Sequence, residues 1–93
     1  MKPKILFADD ESYILEAAEM VLKDEFDIYA ATTVASARAV LSKTMIELAV
    51  VDLNFEGQEE DGLALIDYLN KKDPTIPIVV LSSDKLTRSA GVP

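Results

Sequence analysis

A chain of 93 residues, 49% hydrophobic and 28% charged, predicts one globular domain with a modest core. Cysteine and histidine are absent, which excludes disulfides, a thiolate site and a histidine general base. The net charge of −8 argues against a nucleic-acid surface and favours a cation or a basic partner. No apolar run reaches the roughly 20 residues of a membrane span, so we expect a cytoplasmic protein without a membrane partner.

The first apolar run predicts a strand that ends in carboxylates. Residues 5–8 are continuously apolar, and Asp9-Asp10-Glu11 follows at once. Three adjacent carboxylates repel one another unless a positive charge lies among them. Ser12 then suits the N-cap of an amphipathic helix over about residues 12–25, in which apolar residues recur at helical spacing.

The rest of the chain alternates strands and helices with short links. The predicted elements are a strand over 26–30, a helix capped by Thr32 or Thr33, a strand over 47–51, a helix that opens at Gly62 and stops at Pro74, and a strand over 76–81. This β-α-β-α-β-α-β order predicts a mostly parallel sheet with right-handed crossovers and helices on both faces.

Polar residues follow three of the four predicted strands, namely Asp9-Asp10, Asp52 and Ser82-Ser83. In a parallel sheet these strand ends lie at one edge, where open α/β folds bind ligands. Carboxylates brought together there need a hard cation, and oxygen ligands without His or Cys suit Mg²⁺. For Asp52 taken alone, a turn or helix-cap role is an equally ordinary explanation.

In order along residues 5–83, these motifs resemble the receiver domain of two-component response regulators. The matching segments are the strand and acidic pair over 5–11, the strand and aspartate over 50–54, Asp61-Gly62, and the strand and hydroxyls over 77–83. The resemblance implies an α/β, flavodoxin-like parallel sheet with strand order 2-1-3-4 in a single, incomplete receiver domain over residues 1–93.

The resemblance also implies roles for five residues. Asp52 resembles the phosphoacceptor, a carboxylate nucleophile that takes a phosphoryl group from a sensor histidine kinase. Asp10 resembles the direct Mg²⁺ ligand and Asp9 its water-bridged neighbour, while Asn54 would contribute its backbone carbonyl. Ser82 resembles the switch hydroxyl that turns toward the phosphoryl oxygens, although a plain strand-end hydroxyl is the alternative.

The chain departs from the family pattern in one loop and at its end. Gly62 comes ten residues after Asp52, where the pattern has eight, and the usual loop proline is missing. The family's fifth strand, with its lysine and aromatic residue, and its last helix have no matching residues. We therefore expect an exposed apolar edge at residues 78–81, through which two copies would associate.

Two functions from different classes follow. The first is a Mg²⁺-dependent phosphoacceptor, which promotes its own phosphorylation and is not an enzyme. The second is a receiver-like module that self-associates without phosphotransfer, which the missing lysine favours. A magnesium-dependent phosphatase is disfavoured because that class wants a second aspartate two residues after the nucleophile, where Asn54 stands.

Overall fold

Strands and helices alternate in the computed structural model, which describes residues 2–53, 55 and 61–81. The elements are β1 (Lys4–Ala8), α1 (Ser12–Leu22), β2 (Asp27–Ala31), α2 (Val34–Lys43), β3 (Leu48–Asp52), α3 (Gly62–Lys72) and β4 (Ile78–Leu81). The predicted order of elements is confirmed. Among these described helices, none is long and apolar enough to cross a bilayer.

The four strands form one parallel sheet in the order β2-β1-β3-β4, which confirms the predicted order 2-1-3-4. Ala8 at the end of β1 lies beside Ala31 of β2 and Val51 of β3. At the end of β3, Asp52 lies beside Leu81 of β4. This register brings the carboxyl ends of all four strands to the same edge.

Alternating residues of the two central strands build the core. Leu6, Ala8, Ala49 and Val51 are buried on the face that α2 and α3 cover. The buried cluster on this face comprises Leu6, Ala8, Ala31, Val34, Ala37, Leu41, Ile46, Ala49, Val51, Phe55, Leu65 and Leu69. Ile5 and Phe7, the intervening residues of β1, are also buried, and α1 packs against the neighbouring strand β2.

Both ends of α1 differ from the prediction. Glu11 occupies the N-cap without a side-chain cap bond, and Ser12 is the first helical residue. The predicted Ser12 cap is therefore wrong. The helix ends at Leu22, whose carbonyl accepts hydrogen bonds from the amides of Glu25 at 3.0 Å and Phe26 at 2.8 Å in the turn that leads to β2.

Smaller shifts occur at two strands. β3 includes Asp52 rather than ending just before it, since Asp52 still pairs with β4. β4 begins at Ile78 rather than residue 76, because Pro77 has no amide to donate to the ladder. The Pro77 carbonyl still accepts a hydrogen bond from Ala49, at 3.0 Å.

Candidate metal site at the carboxyl edge of the sheet

The sheet register gathers three carboxylates at the ends of β1 and β3. Because Ala8 pairs with Val51, Asp9 follows β1 at the level of Asp52. Asp9, Asp10 and Asp52 each offer a carboxylate oxygen, and these oxygens lie within 4.8 Å of one another. The structure thus brings together the three acidic residues that strand-end positions in the sequence single out. We call them the acid cluster.

Asp9 is held in place by its own backbone and by the start of α1. Its amide donates to the Ala31 carbonyl at 3.0 Å, which extends the β1–β2 pairing by one bond. Its carboxylate Oδ1 accepts a hydrogen bond from the Glu11 amide at 2.9 Å. The carboxylate therefore has a fixed orientation before any ligand binds.

The acid cluster is largely removed from water. Asp9 is 4% exposed and Asp52 is 8% exposed, while Asp10 is half-buried. Burial raises the pKa of Asp9 from its usual 3.8 to about 6, against the opposing effect of the Glu11 amide bond. The negative charges of Asp52, Asp10 and Glu11 contribute to the same rise in the pKa, as smaller causes than burial. A cation bound at this edge would relieve the same desolvation and repulsion.

The donor set suits magnesium. It consists of carboxylate oxygens, which are hard ligands, and the chain has no Cys or His to favour zinc. Asp9, Asp10 and Asp52 would hold the ion. The predicted Asn54 carbonyl ligand and the predicted Ser82 hydroxyl lie outside the described residues, so these two roles stay predictions.

The sequence did not reveal the surroundings of two aromatic residues, Tyr13 and Phe55. Tyr13 is exposed, and its side-chain hydrogen bond to Glu11 raises the pKa of the phenol. Phe55 is buried in the core cluster with residues of α2 and α3, although its neighbours in the sequence are mostly polar or acidic. Its only signal was a single aromatic side chain among acidic and polar neighbours.

The start of α3 lies beside β3. Asp61 is the N-cap, and its carboxylate accepts a hydrogen bond from the Ala64 amide at 3.2 Å. Gly62, the first helical residue, is buried. The Asp61-Gly62 motif therefore opens a helix, as its sequence pattern predicts.

Comparison with known proteins connects this geometry to a family. Residues 5–91 match the family model described as response regulator receiver domain. The chain is 32% identical over 85 residues to the nitrogen assimilation regulatory protein NtrX of Azorhizobium caulinodans, a match that covers 88% of this chain and 18% of that protein. The chain thus spans less than a fifth of that relative's length.

Solved structures share the fold of this chain. The receiver domain of NtrX from Brucella abortus is 34% identical, with a TM-score of 0.76 over 82% of this chain and 64% of that one. A receiver domain protein from Methanospirillum hungatei is 20% identical and has a TM-score of 0.80, covering 88% of this chain and 65% of that chain. Because its identity is only 20%, the similarity to the Methanospirillum hungatei protein supports the fold and nothing more.

Proposed function

Because this chain belongs to the response regulator receiver domain family, we propose that it is a phosphoacceptor on which a sensor histidine kinase phosphorylates Asp52. The observation that supports this proposal is the acid cluster, with carboxylate oxygens of Asp9, Asp10 and Asp52 within 4.8 Å of one another. Residues 1–93 would act as one receiver domain, and the residues' individual roles are part of the proposal.

The reaction is a phosphoryl transfer to a carboxylate. An oxygen of Asp52 forms a bond to the phosphorus of a phosphohistidine while the phosphorus–nitrogen bond breaks. The imidazole nitrogen leaves with the bonding electron pair and takes up a proton. The product is an aspartyl phosphate at Asp52.

The negative charge of the acid cluster disfavours the approach of the phosphoryl group that is to be transferred. Three carboxylates repel an incoming phosphoryl dianion, and the Asp9 carboxylate is oriented by its hydrogen bond from the Glu11 amide. Mg²⁺, when bound by the acid cluster, neutralises this charge and stabilises the charge that develops in the transition state. Asp9 and Asp10 would thus be needed for the reaction although neither forms a bond to phosphorus.

Intact mass after incubation with acetyl phosphate and Mg²⁺ tests the proposal. Wild-type protein should gain one phosphoryl group, while Asp52→Asn should gain none. Asp67→Asn is the matched control, because Asp67 is exposed on α3 and pairs with Lys71 at 3.0 Å. Folded wild-type protein without any mass gain would contradict the proposal.

Self-association without phosphotransfer is the second candidate. Within the described residues β4 is the outermost strand beside β3, and Val79 and Val80 are each 46% exposed. Apolar edges of this kind recruit another strand. Sedimentation velocity of wild type and Val79→Lys tests this candidate. A wild-type monomer at tens of micromolar would rule it out.

A further inference from the structure

The first residue of α3 touches the backbone of the proposed acceptor. A Cβ atom added to Gly62 would overlap the carbonyl oxygen of Asp52. It would also lie 2.7 Å from the Leu53 Cα and 2.9 Å from the Asp52 carbonyl carbon. Only a residue without a side chain lets α3 begin at this point against the Asp52–Leu53 peptide.

Space, rather than backbone conformation, requires the glycine. Gly62 is the first residue of a regular helix, and alanine is the better helix former. The atoms that meet the added Cβ belong to backbone, which cannot rotate away as a side chain could. A larger residue must therefore move the start of α3 or the end of β3.

The Asp52–Leu53 peptide is held on its other side by the sheet. The Leu53 amide donates to the Leu81 carbonyl at 3.0 Å, and Asp52 pairs with Leu81 in the register. Leu65, three residues beyond Gly62, is fully buried in the core. The end of β3 is thus fixed between β4 and a helix that cannot easily retreat.

We propose that Gly62 is a positioning residue for Asp52. Its missing side chain lets α3 rest on the Asp52–Leu53 peptide and so sets the distance from the Asp52 carboxylate to Asp9 and Asp10. This inference rests on the proposed phosphoacceptor role of Asp52. Gly62 approaches the Asp52 backbone although it comes ten residues later in the chain, two more than in the family pattern.

Gly62→Ala tests the inference through the rate of phosphorylation. Displacement of a reacting group by about 1 Å can cost about 100-fold in rate. At saturating Mg²⁺ and acetyl phosphate we expect Gly62→Ala to be phosphorylated at least tenfold more slowly than wild type, per folded molecule. The Mg²⁺ dissociation constant, measured by calorimetry, should rise as well.

Two control variants separate positioning from stability. Leu63→Ala changes the neighbouring, exposed residue of the same helix and should keep the wild-type rate. Leu41→Ala removes a buried core side chain of α2, outside both α3 and β3, so this variant is destabilised but its rate per folded molecule should stay near wild type. Trimethylamine N-oxide, which favours folded states, is added equally to all variants to keep them folded.

The outcomes are distinct. A Gly62→Ala protein that is as destabilised as Leu41→Ala but reacts at the wild-type rate would show that Gly62 has only a packing role, and would overturn the inference. Unphosphorylated wild type would instead refute the proposed function. In that case an unchanged Mg²⁺ dissociation constant in Gly62→Ala would overturn the positioning role too, and a raised one would support it.

Discussion

The two helices that begin beside the acid cluster, α1 and α3, are held in different ways. α3 has a side-chain cap from Asp61, and its Leu65 and Leu69 are fully buried. In α1, by contrast, no side chain caps the N-terminus, and Leu15 is the one buried residue among the described residues of that helix. Met20 and Val21 of α1 are 72% and 76% exposed.

We call the buried side chains of α3, Leu65 and Leu69, its apolar anchor. We call the hydrogen bond that holds the start of α1 to Asp9 its electrostatic anchor. Packing of α3 depends on buried area, which does not change with pH or cation concentration. The start of α1 is tied to the acid cluster through the hydrogen bond from the Glu11 amide to Asp9. Its attachment therefore depends on the charge of a residue whose pKa is raised to about 6. Ligand binding at the acid cluster should thus affect α1 more than α3.

The largest expected effect is loss of the apolar anchor of α3. Leu65→Ala removes a fully buried side chain from the core, which should cost about 2–5 kcal/mol of unfolding free energy. Met20→Ala, at an exposed position of α1, should stay within about 0.5 kcal/mol of wild type. Urea denaturation followed by circular dichroism measures both. Equal losses would break the contrast between the helices.

A pH dependence probes the electrostatic anchor. Folding raises the pKa of Asp9 above its usual 3.8, so the native state without metal favours the protonated form. The contribution of Asp9 to stability is therefore greatest below about pH 4 and is lost as pH rises through about 6. In the presence of a metal chelator, the unfolding free energy of Asp9→Asn should equal that of wild type at pH 4. At pH 7.5 it should be about 1–2 kcal/mol higher than that of wild type.

Urea titrations at several pH values check that difference, with Asp27→Asn as the control at an exposed residue of β2. A gain that is the same at both pH values would contradict the assigned cause. Addition of Mg²⁺ should shrink or reverse the gain at pH 7.5, since a ligand that binds the native state stabilises it.

The smallest expected effect compares the two helix caps. Asp61→Ala removes the side-chain bond to the Ala64 amide and should cost about 1 kcal/mol. Glu11→Ala removes an N-cap residue that makes no side-chain cap bond, and should change stability by less than about 0.5 kcal/mol. The midpoints of urea denaturation measure the stability of the two variants. A larger loss of stability for Glu11→Ala than for Asp61→Ala would contradict this prediction.

Much of the architecture could be predicted because the strands are continuous apolar runs. The central strands around Leu6 and Val51 are buried, so their sequences need no alternation. The grouping of Asp9, Asp10 and Asp52 could be predicted as well, since parallel strands end at a common edge. The separation of their oxygens could not, because it depends on the register between β1 and β3.

The features that were missed depend on tertiary contacts. Ser12 has the chemistry of an N-cap, but the Asp9 carboxylate binds the Glu11 amide and shifts the helix start by one residue. Phe55 has no periodic apolar neighbours in the sequence, and its burial comes from packing in the core cluster with residues of α2 and α3. The contact between Gly62 and the Asp52–Leu53 peptide joins residues whose proximity no local pattern reveals.

The bond from the Leu53 amide to the Leu81 carbonyl has a consequence for hydrogen–deuterium exchange. This amide lies one residue after Asp52 and is paired at 3.0 Å, so its proton exchanges only when β4 separates from β3 or the whole domain unfolds. Amides in α1 can exchange through local fraying at much lower free energy. The Leu53 proton thus records, beside the proposed acceptor, how often the outer strand detaches.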